Sequence, residues 1–342
     1  MYNKKMHQLG SNPSAIRDLF EYGKKRKLEI GESNVFDFSL GNPSVEAPNI
    51  VNETLIDLIN NTDSCKLHGY TSAVGDLGVR KSIEEYLNKT YQSTVSSDLI
   101  YITVGAAASL TISLNAILNE NDEVIVIAPY FPEYKVFVEK AMGNLVVVSS
   151  KEKTFLPDIE KIKNSINEHT KAIIINYPNN PTGVMIDEES LVSLCNVLKE
   201  KELEYNHPIY LISDEPYREL LYDDKKYLFV TNYYDNSIVC YSFSKSLSLP
   251  GERIGYIVVN PKCNNASDVF YAVCGAGRSL GFVCAPSIFQ YMIPKCLGST
   301  SALNCYLENR DILYSELSKI GYKVVRPDGA FYLFVKALED DA

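Results

Sequence analysis

Histidine is scarce in this 342-residue chain: His7, His68, His169 and His207 are all there is, and no two stand at metal-ligand spacing. A zinc centre or a histidine-based triad has little material. The eight cysteines, at 65, 195, 240, 263, 274, 284, 296 and 305, include no Cys-x-x-Cys pair, and no apolar secretion segment opens the chain. Reduced thiols in a cytoplasm are the expected setting. Gly-x-Gly-x-x-Gly, a Walker loop and Gly-x-Ser-x-Gly are missing as well. Positive charge is also short, with 33 Lys and Arg against 43 Asp and Glu and a net charge of -10. No overall basic field attracts nucleic acid or an anionic membrane, so a small molecule or another protein is the expected partner.

What is present suits a globular protein. The chain is 46% hydrophobic and 22% charged, enough for a sizeable core and, at roughly 100 to 200 residues per domain, for two domains. Leu99 to Leu118 runs twenty residues without a charge, the length of a membrane span. Its interior contradicts that reading: Tyr101-Ile102-Thr103-Val104 is β-branched and aromatic, Gly105 breaks the run, and Leu110, Leu114, Ile117 and Leu118 follow helical spacing. A buried strand, a turn and a helix are expected.

Short apolar runs recur after it: Val124 to Ala128, Leu145 to Val148, Ala172 to Asn176, Ile209 to Ser213, Ile238 to Ser242 and Ile254 to Val259. Amphipathic stretches separate several of them, among them Leu191, Leu194, Cys195 and Leu198 behind a capping candidate at Asp187. Such alternation predicts an α/β fold with a seven-stranded, mainly parallel sheet covered by helices on both faces. The two ends differ. Residues 1–45 hold a basic helical stretch (Ile16 to Lys27) and a Gly41-Asn42-Pro43 turn; residues 301–342 hold a long helical pattern and two strand candidates, Tyr322 to Arg326 and Phe331 to Val335. The ends are expected to form a smaller α+β domain beside a large domain spanning residues 46–300.

In an open α/β sheet, ligands sit outside the carboxyl ends of the strands. Those positions carry Gly105-Ala106-Ala107 at a helix start, Pro129-Tyr130-Phe131, Asn179-Asn180-Pro181-Thr182-Gly183, Asp214-Glu215-Pro216-Tyr217 and Ser242-Phe243-Ser244-Lys245, followed by Arg253. The helix start suits a phosphate because its amides are unpaired and its dipole favours an anion. Each piece alone has an ordinary structural explanation: tight packing, a core ring, turn chemistry, a solvated charge. Ser-x-x-Lys also occurs in penicillin-binding enzymes, but their Ser-Asp-Asn and Lys-Thr-Gly are absent. Their joint order along one sheet edge is what chance does not supply.

With these motifs the sequence resembles the class I/II aminotransferases, the aspartate aminotransferase superfamily of fold-type I enzymes dependent on pyridoxal 5′-phosphate (PLP), from about Ser39 to Phe334. The resemblance implies that Lys245 carries PLP as a Schiff base and that Asp214 pairs with the ring nitrogen. It implies that Asn180 and Tyr217 bond the ring's 3-oxygen and that Phe131 stacks on the ring. The phosphate would meet Gly105, the Ala106 and Ala107 amides, Ser242, Ser244 and Arg253. Tyr70, in His68-Gly69-Tyr70, resembles the tyrosine that reaches the neighbouring subunit's site, which implies a homodimer. Gly41 and Asn180 would meet the substrate, an amino acid or a 2-oxo acid, and Arg278 lies near where dicarboxylate-specific relatives place a side-chain arginine.

Transamination is the activity implied. An elimination enzyme such as a C-S lyase would show nearly the same cofactor residues, and a non-catalytic PLP-binding regulatory protein is a further alternative. Relatives also carry a carboxylate-binding arginine beyond the Pro327-x-Gly329-Ala330-Phe331-Tyr332 motif. No arginine follows Tyr332, so the C-terminal part of the small domain is expected to be incomplete.

Overall fold

The computed structural model describes residues 1–11 and 15–339. All seven apolar runs form strands: β1 (Ile100–Thr103), β2 (Glu123–Ala128), β3 (Asn144–Ser149), β4 (Thr170–Ile175), β5 (Tyr210–Asp214), β6 (Ser237–Ser242) and β7 (Gly255–Val259). They make one sheet in the order β1-β7-β6-β5-β4-β2-β3, with β7 antiparallel to both neighbours and every other pairing parallel. Apolar, mostly β-branched side chains alternate between the two faces. Ile125, Ile173, Leu211 and Val239 enter one core; Val126, Ile174, Ile212 and Ile238 enter the other. Burial on both sides is why these strands read as continuous apolar runs.

The uncharged run at 99–118 resolves as β1, the Gly105 turn and a helix, Ala106–Ile117. Among the described residues no helix is long and apolar enough to cross a membrane. Asp187 caps the helix Glu188–Tyr205 by accepting from the Ser190 amide at 2.7 Å, as its position predicts.

By contacts the chain divides into Met1–Pro43 and Ser44–Ala342. The first unit contains the helices Lys4–Ser11 and Ala15–Ile30. In the second, the helix Leu303–Lys319 is tied to the loop after β5 by Arg310, which is buried and pairs with Asp223 at 2.8 Å.

The strand candidates at 322–326 and 331–335 differ from expectation. They meet only through an isolated bridge between Val324 and Val335. Between them the chain is bound elsewhere: the Asp328 and Gly329 amides both donate to the Gly183 carbonyl, at 2.8 and 3.0 Å, and the Ala330 amide donates to Leu220 at 2.8 Å. Gly183, at φ 71°, permits this approach, because a Cβ there would lie 2.6 Å from Pro327. These bonds turn residues 327–332 toward the sheet edge, and no ladder forms.

Candidate active site

Asp214 ends β5 and is 5% exposed. The Tyr134 hydroxyl donates to its Oδ2 at 2.7 Å, while Oδ1 is buried with no hydrogen-bond partner. Burial pushes the carboxyl pKa up to about 7, against the Tyr134 bond and with help from the Glu215 charge. An unpaired buried acceptor costs roughly 1 to 3 kcal/mol, so Oδ1 marks a place for a donor that the chain does not provide. Asn176 braces the same corner: its Nδ2 donates to the Asp214 carbonyl at 2.8 Å and its Oδ1 accepts from the Asn180 amide at 2.7 Å.

Tyr217 follows one turn later, buried against Leu220 and Ala330. Its hydroxyl lies 2.7 Å from that of Tyr332, with the Asn180 amide beside it. Phe131 packs edge-on to Tyr134, ring centroids 5.6 Å apart.

Lys245 follows β6 in a loop whose Ser242 and Ser244 are buried. Its Nζ lies 5.2 Å from the centre of the Phe331 ring. Burial, and secondarily the Arg253 charge, lower its pKa to about 8. The Arg253 guanidinium rests against Gly105: a Cβ on that glycine would come within 2.8 Å of Nη2. Gly105, at φ 94°, caps the helix Ala106–Ile117 without a side chain. The first-turn amides of Ala106 and Ala107 are therefore not claimed by a capping group. A Cβ on Gly255 would stand 3.2 Å from the Gly105 Cα and 3.1 Å from that of Ser242. Two glycines thus draw Gly105, Ser242 and Arg253 together, and the guanidinium gives this corner the positive charge that suits a phosphate group.

Three further residues were expected at the site. Tyr70 is 97% exposed, and Arg278 is exposed in the last turn of the helix Ala266–Leu280. Gly41 belongs to the Met1–Pro43 unit. Residues that the sequence did not reveal lie directly behind the site. Buried Arg218 pairs with Glu215 at 3.0 Å and Glu219 at 3.1 Å and donates to the Tyr256 hydroxyl at 2.8 Å. Tyr241 donates to Glu219 at 2.9 Å and shares a 2.8 Å bond with Ser246, beside Lys245. Tyr134 carries no motif signal because its partner Asp214 is 80 residues away, and Asn176 and Arg218, although each also has a neighbour in sequence, are set by bonds to Asp214 and Tyr256, each 38 residues away.

The sequence model of the family described as aminotransferase class I and II matches residues 33–340. The chain belongs to that family. An amino transferase from Eubacterium rectale is 55% identical in sequence and superposes with a TM-score of 0.97, covering 100% of this chain and 86% of its own. The aspartate aminotransferase of Thermotoga maritima superposes with a TM-score of 0.86 at 28% identity, covering 99% of this chain and 86% of its own. A probable aspartate aminotransferase of Methanocaldococcus jannaschii is 32% identical over 94% of this chain and 81% of its own. Class I and II aminotransferases are PLP-dependent enzymes that move an amino group from an amino acid to a 2-oxo acid in two half-reactions. The chain's residues fit that cofactor on structural grounds alone: an orphaned carboxylate oxygen for a protonated ring nitrogen, a glycine-lined cradle with an arginine for a phosphate, and a buried lysine amine within the field of that arginine.

Proposed function

We propose that this aminotransferase holds PLP through Lys245, and that the buried, unpaired Oδ1 of Asp214 is the observation that carries the assignment, with the lowered pKa of the Lys245 amine in support. In this reading Asp214 accepts from the ring nitrogen, Asn180 and Tyr217 bond the 3-oxygen, and Phe131 covers the ring. Ser242, Ser244, Arg253, Gly105 and the Ala106 and Ala107 amides take the phosphate, with the fork of Arg253 suited to two of its oxygens. When bound, PLP supplies a conjugated ring that accepts the electron pair left at Cα when a bond there breaks.

The chain's own groups do the rest. The buried Asp214 carboxylate holds the ring-nitrogen proton, which keeps the ring electron-poor. Lys245 anchors the cofactor and, once an amino acid has displaced it, offers Nζ as the base for the Cα proton. A pKa of about 8 leaves roughly a tenth of that amine neutral at pH 7 and about half at pH 8, far more than an ordinary lysine offers. The burial of Lys245 and the Phe331 ring over Nζ limit water there.

The proposal extends to a homodimer in which Tyr70 reaches the partner's phosphate, and to a small domain made from residues 1–45 and 301–342. Gly41 and Asn180 would meet the substrate carboxylate. Relatives named as aspartate aminotransferases support an acidic amino donor, with Arg278 as the group for its side-chain carboxylate. Eight free thiols support a cytoplasmic setting. Reduction of the PLP-loaded protein with borohydride, followed by peptide mapping, tests the core of the reading. The pyridoxyl label is expected on Lys245; label on another lysine, or none at saturating PLP, overturns it.

A further inference from the structure

Tyr332 belongs to a turn that the chain clamps from two sides. Its segment is fixed to Gly183 by the Asp328 and Gly329 amides and to the Tyr217–Tyr222 stretch by two further bonds, Ala330 N to Leu220 O at 2.8 Å and Tyr222 N to Asp328 O at 2.9 Å. The hydroxyl this turn delivers lies 2.7 Å from that of Tyr217, with the two rings edge to face at 83° and 5.5 Å. A phenylalanine would make the same ring contact. The hydroxyl is what needs explaining, because burying one costs free energy unless it is bonded.

Proton counting supplies the explanation. A tyrosine hydroxyl has one proton to give and two lone pairs to fill. Around the Tyr217 oxygen stand the Asn180 side chain, whose bond lowers the Tyr217 pKa and so fills a lone pair through an N–H, and the Tyr332 hydroxyl, which can either give or take the proton between the two rings. If Tyr217 gave its one proton to Tyr332, none would remain for an acceptor in the cofactor site; with Tyr332 as the donor, both lone pairs are taken and the Tyr217 proton is left for that acceptor. We propose that Tyr332 is a positioning residue: by donating to the Tyr217 oxygen it directs the Tyr217 proton to the 3-oxygen of PLP. The inference rests on the reading that Lys245 holds PLP beside Tyr217. Cooperative polarisation makes a hydroxyl that accepts a bond a better donor, so Tyr332 strengthens as well as aims that bond.

The pH at which the lysine-bound chromophore changes colour reports this directly. Negative charge on the 3-oxygen holds the proton on the linkage nitrogen; a good donor to that oxygen competes for the charge and lowers the midpoint. The groups facing Tyr217 are Asp214 at the end of β5, Asn180 after β4 and Tyr332 itself, while Lys245 faces Arg253 and the Phe331 ring. All except the Tyr332 hydroxyl are retained in Tyr332→Phe. Titration of the PLP-loaded wild type, Tyr332→Phe, Tyr217→Phe and the double variant is the experiment. The midpoint is expected to rise by about half a unit or more in Tyr332→Phe, a weakened single hydrogen bond of the ordinary size. It should rise further in Tyr217→Phe, and the double variant should match Tyr217→Phe alone. An unchanged midpoint in Tyr332→Phe, or a shift that persists on the Tyr217→Phe background, overturns the proposal and leaves the PLP assignment standing. Absence of the chromophore in the wild type sinks both.

Discussion

The Tyr134 hydroxyl holds one oxygen of Asp214 at 2.7 Å and leaves the other bare. One donor therefore does two jobs, opposing the burial that lifts the carboxyl pKa and fixing which oxygen faces the cofactor site. Tyr134→Phe keeps the ring and removes the donor. A hydrogen bond to a charged group is worth about 1.5 to 3 kcal/mol, so turnover at saturating PLP is expected to fall roughly tenfold or more, with most of the PLP affinity kept by the phosphate contacts. Steady-state turnover with saturating PLP measures it; a rate equal to wild type contradicts the role of Tyr134.

Asp214 gives a signed pH dependence in the PLP-free protein. Its folded pKa, about 7, is raised from the ordinary 3.8. The folded state thus binds the extra proton, and the resulting stability is fully present below about pH 4 and lost as pH rises through about 7. Asp214→Asn carries no such titration. Melting temperatures of the two apoproteins between pH 5 and 8 should diverge, the wild type falling relative to the variant. The difference reports Asp214 and its coupling to Glu215, also raised to about 7 by burial. Parallel curves would show that Asp214 is not protonated in the folded apoprotein.

The sheet and most of the site were legible because they depend on local signals. Apolar runs bounded by turn residues gave all seven strands, and the residue that follows each run at the ligand-bearing edge needs no tertiary knowledge to find. The antiparallel placement of β7 was not legible, since a strand buried on both faces reads alike in either direction. Tyr332 was visible only as a motif letter. Its partner, Tyr217, is 115 residues away, and Tyr134 stands 80 residues from Asp214. Residues 322–326 and 331–335 have strand composition, yet local propensity is outweighed by the bonds that residues 328–330 make to Gly183 and Leu220.

Gly105 tests the phosphate cradle apart from the ring contacts. Its backbone sits at φ 94° and a Cβ would meet Nη2 of Arg253 at 2.8 Å, so Gly105→Ala both strains the turn and displaces the guanidinium. PLP affinity is expected to fall at least tenfold. Asp214→Ala should instead keep much of the affinity and lose most turnover, because the phosphate contacts remain. Equal affinity loss in the two variants, measured by dialysis against graded PLP, would dissolve the distinction between anchoring and ring electronics.

Tyr70 bears on assembly. It is 97% exposed in the single chain, five residues before Gly75, whose φ of 102° turns the segment into the helix that begins at Leu77. A large aromatic left this open is explained if a second copy receives it. Mixed refolding of Tyr70→Phe with Lys245→Ala chains separates the possibilities. If Tyr70 serves the neighbouring site, each heterodimer combines Lys245 of one chain with Tyr70 of the other in one intact site. Random assortment then restores roughly a quarter of the wild-type sites, and activity rises above that of either parent alone. Sedimentation of the mixture should show dimers throughout. If Tyr70 serves its own chain, no site in the heterodimer has both groups, and mixing yields no gain over the parents. A monomeric, fully active wild type would remove the partner role of Tyr70 altogether.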